Sequence, residues 1–303
     1  MNVMTTRLLV FLCTLVAMPC ALAIDLDYER ETRWAEQVLP SILVGDPLWI
    51  EQPNGHKFLA IYTEAEKPRG AIIVGHGRGW NPDFELYGTL RMKLADQGYN
   101  TLAIQLPVLG SGAKVGDYIP TYSDASERYD LSAKFLQGKG FEDIAIVSHS
   151  LGATMANEYL IAVDETAVKA WVFISIINGL QEMFRIKIPV MDVYGSEDWV
   201  ITQVGGYERK QQILKVAGSR QVVLKDAPHF FEGKEDELTQ VIVDFLDSVF
   251  HASGRTPAKS PDQPLSSADP ACAGPKNKRK IARLAFTGCR IWHFSIRVNR
   301  WLS

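Results

Sequence analysis

The stretch IAIVSHSLGATMANEYLIAV, residues 144–163, passes from an apolar run into an amphipathic one through SHSLG. IAIV has the composition of a strand buried on both faces, and TMANEYLIAV that of a helix. Only a few small residues separate the two, so the chain must turn sharply from strand to helix. At such a turn Ser150 is either a nucleophile on a strained backbone or a side-chain cap for the helix that follows. Gly152 supplies the small residue that a nucleophile elbow needs two positions later, and Ser148 stands two positions earlier, where glycine is usual. Strand, small-x-Ser-x-Gly and helix in this order favour the nucleophile over the cap.

Outward from this turn the same alternation continues. HKFLAIYTE (56–64), GAIIVG (70–75), NTLAIQLP (100–107), DIAIVS (143–148), VKAWVFISI (168–176), PVMDVYG (189–195) and QVVLK (221–225) read as strands. Helices are predicted over 82–98, 124–140, 151–163, about 203–217 and about 235–251. Apolar strands alternating with helices predict an α/β fold: a mostly parallel central sheet covered by helices on both faces, with no internal repeat or second domain boundary in the body. In such a sheet the loops at the carboxyl ends of the strands carry the chemistry.

Two glycine-rich loops could be mistaken for phosphate sites. GHGRGW (75–80) follows a strand, but Trp80 stands where a dinucleotide fingerprint needs its third glycine, and GSGAKVGD (110–117) lacks phosphate-loop spacing. HG after a strand instead suits an oxyanion loop, in which a glycine lets a backbone N–H approach a reacting carbonyl. Gly77, Arg78 and Leu151 are the candidate backbone contributors.

The segments RWAEQVLPSILVGD, FLAIYTE, GHGRGWNPDF, GYNTLAIQLPV and SHSLGA together resemble the α/β-hydrolase superfamily, and within it a bacterial exported branch known as a domain of unknown function. The resemblance covers about residues 28–250. It implies a nucleophile, acid and histidine in that chain order, which Ser150, Asp198 and His229 satisfy. Asp198 lies in YGSEDWV (194–200), with Glu197 as the alternative acid, and His229 in DAPHFFEG (226–233). His149, inside the elbow, is expected to border the site rather than act as base. The implied chemistry is acyl transfer from an ester-like or thioester substrate through an acyl-enzyme. The segment INGLQEMFRIKI (177–188) is too short for a large cap domain, and PVLGSGAKVGDYIPTYS (107–123) is expected to shape the pocket.

The ends differ from the body. MNVMTTRLLVFLCTLVAMPCALA (1–23) has Arg7, an apolar run from Leu8 to Cys20 and small residues at Ala21 and Ala23, the pattern of a signal peptide for a periplasmic or secreted protein. Pro19 argues against a lipoprotein acylated at Cys20. Residues 24–254 form the predicted hydrolase domain, and 255–303 a Pro/Ser-rich linker and basic tail read as disordered. From residue 255 on, ten Lys and Arg face two Asp and Glu; with Arg7 also set aside, the chain total of −3 leaves −12 on residues 24–254. The tail's basic residues interleave with Ile291, Trp292, Phe294, Ile296 and Trp301, so weak contact with an envelope or membrane surface stands beside plain disorder. The body has no cysteine; Cys272 and Cys289, both in the tail, could pair.

No cofactor is expected, no metal, since no H-E-x-x-H motif occurs, and no nucleic-acid partner; the expected partner is a small-molecule ester-like substrate. A non-catalytic envelope binding protein on a hydrolase scaffold is the alternative, and Ser148 is the residue that favours it.

Overall fold

The computed structural model describes residues 26–177 and 179–250. The leader at 1–23, the tail at 255–303 and the Cys272–Cys289 pair lie outside the described residues.

Eight strands form one sheet: β1 (Asp46–Glu51), β2 (Lys57–Thr63), β3 (Gly70–Gly75), β4 (Tyr99–Ile104), β5 (Ile144–His149), β6 (Val168–Ile174), β7 (Val190–Gly195) and β8 (Arg220–Leu224). Their order is β1-β2-β4-β3-β5-β6-β7-β8. The pairs β1/β2 and β2/β4 are antiparallel, and β4 to β8 run parallel through β3. The helices are α1 (Tyr28–Val38), α2 (Glu85–Asp96), α3 (Tyr122–Gly138), α4 (Leu151–Ala162), α5 (Val200–Val204), α6 (Gly206–Ile213) and α7 (Glu235–Phe250).

Side-chain alternation along the strands divides the core in two. Ile73, Ile146, Trp171 and Phe173 point into the layer completed by α3, α4 and Ile213 of α6. Ile72, Val74, Val147 and Ile174 point into the layer completed by α2 and α7. Because β3, β5 and β6 bury both faces, their sequences read as continuous apolar runs.

Two elements were not expected from the sequence. β1, DPLWIE, is an edge strand with no fully buried residue, so it carries no apolar run. The buried residues of α1 include a glutamate: Glu31 Oε2 accepts from Nη1 of the fully buried Arg128 at 3.0 Å and faces His56 Nε2 at 2.9 Å. Arg128 Nη1 also donates to the Gln105 carbonyl at 3.0 Å, which ties α1 and α3 to the end of β4. The helix predicted over 203–217 is two helices, interrupted at Gly205, and the helix predicted from 82 starts at Glu85, after Asn81 Oδ1 has capped the Asp83 N–H. β6 stops at Ile174, short of the predicted 176, because Ser175 turns out of the strand at φ +50°.

Candidate active site

Ser150 sits between β5 and α4 with φ +53° and ψ −121°, a backbone that costs a non-glycine residue about 1–3 kcal/mol. Its hydroxyl makes no capping bond to α4. The elbow holds because its surroundings fix it. The Ser150 N–H donates to the Ile174 carbonyl on β6 at 2.8 Å, and α4 presses so close to the loop after β3 that a Cβ on Gly152 would lie 2.2 Å from the His76 carbonyl oxygen.

Ser148, the residue that departs from the usual glycine, is buried under the elbow and has partners. Trp171 Nε1–H donates to its Oγ at 2.9 Å, and its own hydroxyl is hydrogen-bonded to Tyr129, which donates to the Gly152 carbonyl at 3.0 Å. Ser148→Ala is therefore expected to lower stability by about 1–2 kcal/mol by leaving the Trp171 N–H unpaired, with little effect on a chemical step at Ser150. Urea denaturation and ester turnover measured on the same variant check both halves.

The loops after β7 and β8 bring Asp198 and His229 to the serine. Ser150 Oγ lies 3.2 Å from His229 Nε2, and His229 Nδ1 lies 2.6 Å from Asp198 Oδ1. All three side chains are buried, whereas Glu197, the alternative acid, is exposed. Burial alone would raise the Asp198 pKa. Hydrogen bonds from His229 and Ser175, the His229 charge and the Trp199 N–H outweigh it and hold the carboxyl below its ordinary value. The Trp199 N–H donates to Oδ1 at 2.6 Å and the Ser175 hydroxyl to Oδ2, so the acid's orientation is fixed from two neighbouring strands. The Trp199 indole lies flat on the His229 imidazole, with ring centroids 3.6 Å apart and planes 7° apart.

His149 joins the site as a brace. Its Nε2 is 2.9 Å from the His229 carbonyl oxygen, which can only accept, so Nε2 carries the hydrogen and Nδ1 accepts from Tyr87 Oη at 2.9 Å. Tyr87 Oη in turn accepts the Gly77 N–H at 2.8 Å. This bond corrects one expectation: Gly77 is not an oxyanion donor, because its amide is already used inside the protein. Its lack of a side chain still matters, since a Cβ there would meet Tyr87 Oη at 2.8 Å and His149 Nδ1 at 3.2 Å. The Arg78 N–H donates to no acceptor among the described residues, and the Leu151 N–H is the first of α4, where no intrahelical acceptor exists.

His76 fastens the same loop from behind. Its Nδ1 donates to the Gly77 carbonyl at 2.7 Å, and its Nε2 accepts the Leu106 N–H at 2.8 Å. Full burial lowers its pKa to about 4, and burial together with the nearby His229 lowers that of His149 to about 3, so both rings are neutral. A cleft of about 70 Å³ opens over Ser150, lined by Arg78, Trp80, Val115, Trp199, His229 and Phe230 among others. Val115 comes from the 107–123 loop, so that loop does contribute to the pocket wall. Among the described residues, no group of three or more His, Cys, Asp and Glu side chains is placed to hold a metal ion, and no helix is long and apolar enough to cross a membrane.

Of the residues that shape this site, Tyr87, Ser175, Trp199 and His76 were not singled out in the sequence. Each acts through a partner distant along the chain, and only the "HG" of the loop after β3 hinted at any of them.

No family model matches the chain. Among characterised proteins it is similar to mouse Protein ABHD14A, 28% identical over 185 residues that make up 59% of this chain and 71% of the relative. It is also similar to a rat protein described as putative protein-lysine deacylase ABHD14B, 25% identical over 187 residues covering 60% of this chain and 85% of that one. Among solved structures it is similar to a putative α/β-hydrolase from Agrobacterium tumefaciens, with TM-score 0.55, 18% identity and coverage of 69% and 97%. A serine hydrolase without a lid from Xanthomonas campestris gives TM-score 0.54 at 15% identity, covering 73% of this chain and 98% of its own. With this strand order, an elbow between β5 and α4 and these structural neighbours, the chain has the α/β-hydrolase fold.

Proposed function

We propose that the protein is a serine hydrolase that cleaves an ester-like or thioester bond through an acyl-enzyme. The observation that carries this reading is the hydrogen-bonded line from Ser150 Oγ through His229 to Asp198, on a serine whose strained backbone serves no capping bond. As Ser150 Oγ bonds to the substrate carbonyl carbon, its proton passes to His229 Nε2, and Asp198 stabilises the imidazolium. The negative charge on the tetrahedral oxygen faces the N–H groups of Leu151 and Arg78. Collapse breaks the bond to the leaving atom, which takes the proton from Nε2. Water then attacks the acyl-enzyme, gives its proton to His229, and the freed Ser150 recovers it as the acid departs.

The rat relative's description as a putative protein-lysine deacylase supports acyl transfer as the reaction class and makes an acyl-lysine amide a second bond to test. The alternative of a non-catalytic binding protein drew on Ser148, and the bonds of that residue to Trp171 and Tyr129 accommodate it within a working elbow.

A fluorophosphonate probe tests the proposal. It should label the folded wild-type protein and fail to label Ser150→Ala; a well-folded wild type that takes up no probe would overturn the hydrolase reading in favour of the binding protein. Export is proposed on the composition of residues 1–23, with Ile24 as the mature amino terminus. Mass spectrometry of the protein from the host envelope checks this, and retention of residues 1–23 or acylation at Cys20 would refute it.

A further inference from the structure

The stretch WVITQVGGY, residues 199–207, contains no charged side chain. It begins at the acid loop and forms α5 and the first turn of α6. Its inward side is anchored: Thr202 is buried, and Arg209, also buried, donates from Nη1 to the Thr202 carbonyl at 2.8 Å and from Nε to Asp192 Oδ2 at 2.8 Å. Its outward side is apolar and open, with Val200 and Val204 each 75% exposed beside exposed Ile201 and Tyr207. Single exposed apolar residues are ordinary, but a neighbouring set with no charge among them marks a contact surface.

Trp199 joins this surface to the site. The indole is half exposed, its inner face covers the His229 ring, and it lines the cleft over Ser150. In acyl transfer the atom that must come within reach of His229 Nε2 is the leaving atom, because it receives the proton. The leaving group therefore emerges beside His229 and Trp199, and the acyl group takes the remaining space, walled by Arg78, Trp80 and Val115. At about 70 Å³ the cleft is well below the roughly 300–1,000 Å³ of pockets that enclose a whole drug-sized ligand. It takes a short acyl group and leaves any bulky part of the substrate outside.

On the serine-hydrolase reading, we infer that the surface formed by Trp199, Val200, Ile201 and Val204 is the leaving-group shelf, and that the substrate is a short-chain acyl ester or thioester of an alcohol or thiol with a large apolar body. The long apolar portion lies on the leaving side and not on the acyl side. The shelf is continuous with the cleft and uncharged within a body whose net charge is −12 over residues 24–254, so an apolar leaving group suits it better than a cationic one.

Acetates of 4-alkylphenols test this, because lengthening the alkyl chain from methyl to pentyl adds apolar area while leaving the reactivity of the phenol nearly constant. For the wild type, kcat/KM should rise about tenfold across that series, and should fall at least tenfold when the acetyl group of 4-methylphenyl acetate is replaced by octanoyl. In the double variant Val200→Ser/Val204→Ser the rise should flatten to within about twofold, with 4-methylphenyl acetate turned over as before. Neither valine touches the reacting groups, and their exposure makes loss of folding detectable as a change in thermal unfolding rather than a hidden cause.

An undiminished alkyl preference in the double variant, or a preference for octanoyl over acetyl, overturns the shelf. So does a wild-type dimer in sedimentation velocity that dissociates in the double variant with no leaving-group preference in either form, since that result gives the surface to a second copy of the chain. Probe labelling of Ser150 and turnover of 4-methylphenyl acetate without any alkyl dependence defeats the shelf alone. Absence of both labelling and turnover defeats the hydrolase reading beneath it.

Discussion

Replacing Ser150 by alanine is expected to lower turnover of a short activated ester by about 10⁴- to 10⁶-fold while leaving the fold intact. The hydroxyl makes no bond to α4, so its loss removes no cap, and on the proposed mechanism it removes the nucleophile. A capping serine would give the opposite pattern, a stability loss of about 1 kcal/mol with an unaltered chemical step. His229→Ala should match Ser150→Ala in magnitude, because the two act as one unit, and Asp198→Asn should lose as much or less. Asp198, held below its ordinary pKa, is ionised at neutral pH and available to stabilise the imidazolium. Ester hydrolysis as fast in all three variants as in the parent would defeat the assignment.

A loss of stability on acidification is the second large effect, and it comes from histidines that do no chemistry. An unfolded histidine titrates near pH 6.5. In the folded protein His76 is lowered to about 4 and His149 to about 3 by burial. Below about pH 6.5 the unfolded chain therefore binds protons that the native protein refuses, and stability falls as pH falls. Each ring contributes about 1.4 kcal/mol per pH unit over the interval between its unfolded and folded values. Between pH 6.5 and 4 the combined loss is on the order of 5 kcal/mol. Urea denaturation at pH steps across this window checks the slope, and His149→Gln, which keeps a donor for the His229 carbonyl, should reduce it by about half. Stability that is constant from pH 6.5 to 4 would refute the account.

The parts of the fold that could be read in the sequence are those whose side chains face one kind of surroundings. β3, β5 and β6 bury both faces and announce themselves as apolar runs. β1 could not be read, because an edge strand held by backbone pairing to β2 needs no apolar side chains. Nor could α1, whose buried face includes Glu31, a residue that only the tertiary partner Arg128 makes tolerable there. The site divides in the same way. Ser150, Asp198 and His229 each follow a strand, so strand order located them. Tyr87 reaches His149 and Gly77 across the fold, and Trp199 meets His229 only through the packing of two loops, relations that spacing along the chain does not encode. Gly77 was legible as a glycine that the loop requires, but the sequence could not show that its N–H is already engaged.

The accommodation of Ser148 bears on how such proteins are found. A pattern search that demands glycine two residues before the nucleophile passes over this chain, and would pass over any other that pairs a serine there with an indole on the adjacent strand. The bond from Trp171 Nε1 to Ser148 Oγ suggests a compensated pair: a hydroxyl at the first elbow position, and a tryptophan on the next strand, here 23 residues later, to occupy it. Searching for the pair in place of the lone glycine would widen the net without admitting every helix that merely begins with a serine.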